Sequence, residues 1–404
     1  MKQAILCLLE LPGQEDIEEK IEECINLCEA SYIEVILMIS QRSRTPDPRS
    51  FFRKGKLEEI KNAIEELQPD LLVVYNELSI ATTSFLQDYF GLRVLDRKDL
   101  ILDIFQSRAH TKEAILQTSL ARLKYALPAR IKESDEERQR GRGAGESVSA
   151  LIRRQNEKQI REIERQLKDL KTSQLSKQNK RNQSRIGKVC LVGYTNAGKS
   201  SLFNTLLAYN GKENGMVSAR DRLFETLDTT VRKISYQNYQ FLLSDTVGFV
   251  SDLPHELIEA FDSTLRSCKD ADLLIHLIDA SNPHWPMHKE TTLSTLKRIG
   301  ADQIDIIEVF NKCDLLDQKP EGIGISAVKQ QGITGLLKQI VDHLYPKEET
   351  MELFLPYAQT AKIQPYRPFV SLTVKEETQD GTLFLISGPK ETLKEIKKTL
   401  FVSN

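Results

Sequence analysis

Residues 193 to 200 read GYTNAGKS, directly after the apolar run VCLV and directly before SLFNTLL. A loop of the form G-x-x-x-x-G-K-S between a strand and a helix has one demanding use, which is to wrap a chain of phosphates in backbone N–H groups. Gly193 and Gly198 are needed because a side chain would block the close approach. Tyr194, Thr195, Asn196 and Ala197 form the rest of the cradle, and Lys199 brings a positive charge to the β- and γ-phosphates. Ser200 offers a hydroxyl to Mg2+, with Ser201 beside it at the start of a helix whose positive dipole end faces the anion. A chain that must build this loop is constrained to a doubly wound α/β sheet.

Three further signals follow in the order such a sheet requires. FLLSDTVG is an apolar strand ending in Asp245, suited to a water-mediated Mg2+ contact. Thr246 and Val247 lead from it to Gly248, whose N–H can meet the γ-phosphate. IDIIEVF then delivers Asn311, Lys312 and Asp314 as NKCD. A carboxylate at Asp314 can accept both N1–H and the exocyclic N2–H2 of guanine, a donor pair that adenine lacks at that edge. Asn311 would orient the ring, the Lys312 stem would pack on its face, and Ser326-Ala327-Val328 would bring a backbone N–H to the guanine O6. The ligand implied is GTP or GDP with Mg2+. The first switch is less determined: Phe224, Glu225, Thr226, Leu227 and Asp228 open FETLDTT, where Thr226, Thr229 and Thr230 all offer a hydroxyl for Mg2+ and the γ-phosphate.

The rest of the chain predicts a multidomain α/β protein. At 404 residues it exceeds the size at which one core keeps growing. Up to residue 108, short apolar runs alternate with amphipathic helices, the pattern of a small parallel α/β unit. This unit has no phosphate loop: FFRKGKLEE lacks the upstream glycine and reads as a helix start or solvated basic turn.

Residues 109–183 predict a long helical hairpin. TKEAILQTSLARLKYAL forms one arm and SALIRRQNEKQIREIERQLKDL the other, with Ile160, Ile163, Leu167 and Leu170 as an apolar seam. ERQRGRGAGES, residues 137–147, has no apolar anchor and reads as a basic mobile tip. Residues 184–347 hold the nucleotide motifs, and 351–404 predict a small α+β unit with two strands around Asp380-Gly381 and a terminal helix.

Charge narrows the partners. A net charge of −2 predicts no global attraction to nucleic acid and gives no reason to expect DNA. Residues 151–190, however, carry twelve Lys or Arg against four acids, a local excess of +8. With the Arg/Gly tip, this favours an RNA-facing surface over a merely solvated helix followed by a polar linker. Six scattered cysteines without a CxxC pair predict reduced thiols, with Cys24 and Cys28 as core packing rather than a zinc site. The run AILCLL is too short for a signal sequence or membrane span, so a cytoplasmic protein is expected.

These motifs together resemble the HflX family, the ribosome-associated GTPases of the Obg–HflX group. The resemblance rests on GYTNAGKSSLFNTL, LFETLDTTVRK, DTVGFVSDLPHELIEAF and NKCD. Upstream it rests on FFRKGKLEEI, VLDRKDLILDIFQSRAHTKEAILQTSLARLKY and RGRGAGES. It implies that Thr226 is the switch threonine of an F-x-T-L-D stretch, binding Mg2+ beside Ser200 and Asp245. Lys199, Thr226 and Gly248 would then act on the transferring phosphate. It also implies that the tip near Arg138 to Gly145 probes the large ribosomal subunit and its RNA, and that the GTP-bound monomer splits stalled or idle ribosomes. The tip departs from the family pattern, reading Gly143-Ala144-Gly145-Glu146-Ser147 without the proline before Gly-Glu-Thr.

One position raises a question of chemistry. Where many GTPases place a water-orienting glutamine after the DxxG glycine, this chain has Phe249. A phenyl ring cannot polarise water, so slow hydrolysis is expected until a partner completes the site, and His255 is expected to start the helix HELIEAF rather than act as a base. Two other functions share these motifs: a regulatory switch that recruits a protein through the hairpin, and a tRNA-modifying GTPase. The ending TLFVSN, without a cysteine, counts against the second.

Overall fold

The computed structural model describes residues 1–13, 17–125, 148–181, 186–209, 230–237, 239–246, 248–250, 262–318, 320–345, 348–367 and 369–401. The chain divides into two compact units, one built mainly from residues up to Asn179 and the other mainly from those that follow.

In the first unit, strands β1 (Lys2–Glu10), β2 (Ile33–Arg42), β3 (Leu71–Val74) and β4 (Arg93–Asp96) pair in parallel in the order β2-β1-β3-β4. The AILCLL run of β1 is buried throughout, as a parallel strand covered on both faces must be. Helices α1 (Ile17–Ala30), α2 (Lys54–Leu67), α3 (Ile80–Phe90) and α4 (Arg97–Arg108) alternate with the strands. Local chemistry sets the helix ends. Ser79 accepts the N–H of Thr82 at the start of α3, and Gly91 takes the left-handed turn that stops it, φ 66°. Cys24 and Cys28 are both buried in α1, as the expectation of core packing requires.

At the head of α4, Asp96 accepts from the N–H of Asp99 at 2.8 Å, in a capping box, and from Leu78 at 3.1 Å. The hydroxyl of Tyr125 donates to the same carboxylate at 2.8 Å. Tyr125 ends a helix of residues 112–125, so this bond ties the first hairpin arm to the α/β unit. With that helix of residues 112–125 as α5, the second arm, α6 (Val148–Arg181), runs farther than the sequence predicts, because KTSQLSKQNKR continues the helix instead of forming a linker. Lys, Gln and Ser carry small helix penalties, and nothing in that stretch breaks the turn. Ile160, Ile163, Leu167 and Leu170 are half-buried along one side of α6, and Lys124 reaches Glu164 at 3.2 Å. The tip 137–147 lies outside the described residues.

The second unit is organised by a six-stranded sheet, β10-β9-β8-β5-β7-β6. Its strands are β5 (Gly187–Val192), β6 (Thr230–Tyr236), β7 (Tyr239–Asp245), β8 (Leu273–Asp279), β9 (Ile306–Asn311) and β10 (Ile323–Gly324). All neighbours run parallel except β6 against β7. Its helices include α7 (Lys199–Tyr209), α8 (Asp262–Lys269), α9 (Trp285–Ile299) and α10 (Ile333–Leu344). Val189, Leu191, Leu202, Phe203, Phe241, Leu243, Ile275, Leu277 and Leu337 form its core. Burying each such side chain contributes about 1.5–3 kcal/mol.

The C-terminal part holds an antiparallel sheet, β11-β13-β12, and a terminal helix, α11 (Lys390–Phe401). Strands β12 (Ser371–Glu377) and β13 (Gly381–Pro389) are the predicted pair. The sequence reading missed β11 (Glu348–Pro356), which pairs with β13 over its full length. Its alternation is weak in sequence, since Phe354 is 43% exposed on the outer side while Leu353 and Leu355 are buried.

Candidate functional site

The phosphate loop leaves the C-terminal end of β5, the strand between β7 and β8. That is where an open α/β sheet presents ligand-binding loops. The two glycines are required by contact. A Cβ at Gly193 would overlap the Leu277 carbonyl oxygen, and one at Gly198, φ 91°, would overlap the Asn311 side-chain amide. Asn196 takes the left-handed turn between them, φ 63°. Helix α7 begins at Lys199, so the loop runs directly into a helix N-terminus, the end of a helix that attracts anions.

Lys199 is buried and its ammonium donates to the carbonyls of Gly193 at 3.0 Å and Tyr194 at 2.7 Å. Burial pulls its pKa down to about 8, against the opposing pull of the Asp245 carboxylate. Ser200 donates its hydroxyl to Asp245 Oδ2 at 2.9 Å, so two of the three residues expected at Mg2+ stand together. A hydroxyl and a carboxylate are hard oxygen donors, the set Mg2+ selects, and this pair fits the ion. Thr246 beside them is buried and donates to the Leu191 carbonyl at 2.6 Å, which fixes the end of β7 against β5.

Gly248 packs directly on the phosphate loop. A Cβ there would lie 2.7 Å from Thr195 Cγ2 and 3.0 Å from Lys199 Nζ. The next residue completes the junction: Phe249 forms a short parallel bridge with Tyr194. Its ring is fully buried. Of the remaining expected residues, Phe224, Glu225, Thr226, Leu227, Asp228 and Val247 lie outside the described residues, as do Thr229 and His255.

The half of the site that the sequence predicts to read the base is held by Asn311. Its amide donates to the Ala197 carbonyl at 2.9 Å, and its carbonyl accepts the N–H of Ala327 at 3.0 Å. Asn311 therefore staples the phosphate loop to the Ser326–Val328 loop, a structural role that the sequence reading did not give it. Ala327 also receives the Thr205 hydroxyl at its carbonyl, 2.8 Å, while Val328 stands 80% exposed. Ser326 closes the turn through paired main-chain bonds with Gln331, 3.1 and 3.0 Å.

Lys312 adopts a left-handed conformation, φ 61°, and its ammonium pairs with Asp279 at 2.7 Å. Asp314 pairs with Lys329 at 3.3 Å. The Ser326 hydroxyl, with Lys329 as a lesser contributor, holds the Asp314 carboxyl below the usual carboxylate range, so it stays an acceptor for paired N–H donors. Asp279 and Lys329 were missed in the sequence. Asp279 ends an apolar strand as Asp245 does, the one signal that would have marked it.

Three family models match in sequence order: "GTP-binding GTPase N-terminal" over residues 18–106, "GTP-binding GTPase Middle Region" over 108–181, and "50S ribosome-binding GTPase" over 188–312. GTPase HflX of Caldanaerobacter subterraneus subsp. tengcongensis is 36% identical over 95% of this chain and 90% of its own. The chain belongs to the HflX family of GTPases. HflX of Alkalihalophilus pseudofirmus is 34% identical over 88% of this chain and 82% of its own. The crystal structure of SsGBP in complex with GDP is similar at 27% identity and a TM-score of 0.49, covering 85% of this chain and 98% of that one.

As an HflX family member the protein is a GTP-hydrolysing enzyme, and it has the multidomain α/β architecture with a P-loop sheet that the sequence predicts. Among the described residues, no helix is long and apolar enough to cross a membrane.

Proposed function

We propose that this protein is a ribosome-completed GTPase. In its GTP form it docks as a monomer on the large ribosomal subunit and its RNA, separates stalled or idle ribosomes in the cytoplasm, and leaves on hydrolysis. The observation that carries this reading is the burial of Phe249, whose N–H and carbonyl are both bonded to the phosphate loop. At the position where many GTPases hold a water-orienting glutamine, this chain holds a ring locked in the core. The pocket retains electrostatic stabilisation of the phosphates without that group, a combination that makes slow hydrolysis alone and acceleration by a partner the natural regime.

The description "50S ribosome-binding GTPase" of the matched model supports the choice of partner. So does the local excess of +8 over residues 151–190, most of it on α6. Within this reading residues 1–108 and the hairpin 109–183 are the ribosome-facing part, 184–347 the GTPase domain and 351–404 an accessory unit. Ser200 and Asp245 would hold Mg2+ together with Thr226, and the ion would neutralise charge on the β- and γ-oxygens. Asp314 would read guanine, and the exposed Val328 would supply the N–H for O6, since that of Ala327 is engaged by Asn311.

Gradient co-sedimentation with large subunits tests the docking, comparing GTP, GDP and a non-hydrolysable analogue. Binding favoured by the triphosphate, with GTPase stimulation that falls when residues 137–147 are deleted, is the expected outcome. Absence of binding in every nucleotide state would refute the ribosomal reading and leave the hairpin as a docking surface for a protein.

A further inference from the structure

Helix α9 holds none of the residues expected to touch nucleotide, yet its first turn reaches both halves of the pocket. Trp285 meets Phe310 edge to face, with centroids 5.4 Å apart at 89°, and Phe310 precedes Asn311 in β9. Lys289 pairs with Glu308 of the same strand at 2.7 Å. Between these anchors His288 lies flat on the ring of Tyr194, centroids 3.8 Å apart and planes 11° from parallel. The helix is thus pinned to the base-reading strand by two residues and to the phosphate loop by one.

Tyr194 is the residue through which the loop grips the segment carrying Gly248. Its carbonyl accepts Lys199, and it faces Phe249 in the parallel bridge, with the bonds on either side made by Gly193 and Thr195. Tyr194 is 7% exposed, so its ring has little room except against the imidazole. A shift of that ring moves the bridge, and the bridge sets how far Gly248 stands from Thr195 and Lys199.

We infer that His288 is a positioning residue for the γ-phosphate end of the site. By stacking on Tyr194 it fixes the spacing between the phosphate loop and Gly248, and α9 carries that constraint across from the base-reading strand. The inference rests on the reading that this loop and Gly248 bind the β- and γ-phosphates. GDP then senses only the loop, whereas GTP senses the loop and Gly248 together. A side chain that merely filled space would be replaced as well by any apolar group of similar size.

The test uses the full chain and the variants His288→Leu, which keeps apolar volume without a flat face, and His288→Phe, which keeps the face. Tyr194→Leu is added alone and combined with His288→Leu. Affinities for mant-GDP and for mant-GMPPNP with Mg2+ are measured alongside Tm. His288→Leu is expected to weaken the triphosphate analogue roughly 2- to 10-fold, the range an aromatic pair contributes, with little change in GDP. His288→Phe should restore the analogue's affinity, and the double variant should lose no more than the larger single loss. Equal losses for both nucleotides, an analogue affinity as high in His288→Leu as in His288→Phe, or additive losses would each overturn the assignment. Lys199→Ala serves as the separate control: if it binds both nucleotides like the wild type, the reading of the loop itself fails, whatever His288 does.

Discussion

Phe249 and Gly193 are joined by a main-chain hydrogen bond of 3.2 Å from the Phe249 N–H to the Gly193 carbonyl, and Thr195 donates back to the Phe249 carbonyl at 2.7 Å. The backbone around Phe249 is thereby part of the phosphate loop's frame, and its ring points into the core. Phe249→Gln is therefore expected to leave intrinsic hydrolysis no faster than in the wild type, because the new amide is held where the ring was. Burying that amide costs about 1–3 kcal/mol in addition to the lost ring packing, so Tm falls. Single-turnover hydrolysis and thermal melts check both; a clear gain in rate would show that the position is free to orient water.

Lys199 links nucleotide binding to pH. Its pKa near 8, lowered by burial, means that the free protein loses the ammonium as pH rises through 8. Phosphate binding requires the charged form, so GDP affinity is expected to fall above pH 8. Stability moves the other way: between the folded value of about 8 and the ordinary 10.5 the unfolded chain binds the extra proton, so stability rises with pH there. Lys199→Arg, charged throughout, should flatten the affinity profile even though its planar fork fits the site worse. Lys199→Ala should abolish hydrolysis with and without ribosomes. Titration of GDP affinity between pH 7 and 9 reads the effect.

Asp314 is expected to select the base. Asp314→Asn should weaken GTP and GDP and turn preference toward xanthine nucleotides, because the amide presents a donor where guanine also donates. Unchanged guanine affinity would contradict the assignment. Lys329→Ala, which removes a lesser contributor to the ionised state of Asp314, should cost less than Asp314→Asn and leave the order of base preference intact.

Asn311 spans the phosphate loop and the Ser326–Val328 loop. Asn311→Ala removes the bond to Ala197 and leaves the Ala327 N–H without its acceptor, a loss of about 1–3 kcal/mol for the buried donor alone. Nucleotide affinity is expected to drop by at least about tenfold, the factor corresponding to 1.4 kcal/mol, and Tm with it. Calorimetry of GDP binding provides the measurement.

His276 sits buried in β8, with Nδ1 making no hydrogen bond. Burial brings its pKa down from 6.5 to about 4, against the pull of Glu308. The unfolded chain therefore takes up a proton before the folded one does. Stability present above pH 6.5 is lost as pH falls toward 4. His276→Leu should flatten that acid limb in chemical denaturation measured from pH 7 to 4; an unaltered limb would assign the acid sensitivity elsewhere.

Much of the architecture was legible because its determinants are local. AILCLL, KVCLV and FLLSD are short apolar runs, and parallel strands covered on both faces demand such runs. The phosphate loop is legible for the same reason: Gly193 and Gly198 are dictated by how closely backbone must pass Leu277 and Asn311. Strand Glu348–Pro356 was not legible, since half of its side chains face outward and its pairing with β13 closes only in three dimensions. The extension of α6 to Arg181 was hidden by a composition that suits a linker and a helix equally.

By itself, the amino-acid order determined a loop of phosphate-binding form between a strand and a helix and an NKCD motif of the guanine-reading type, and it predicted that an α/β unit with a basic hairpin precedes them. Tertiary structure alone decided which distant side chains hold those groups in place. Lys312 finds Asp279, Asp314 finds Lys329, Asn311 spans the two loops, and His288 lies on Tyr194. The physical reason is one of range. A motif is specified by spacing along the chain, whereas these partners meet only where separate strands and helices end on the same edge of one sheet.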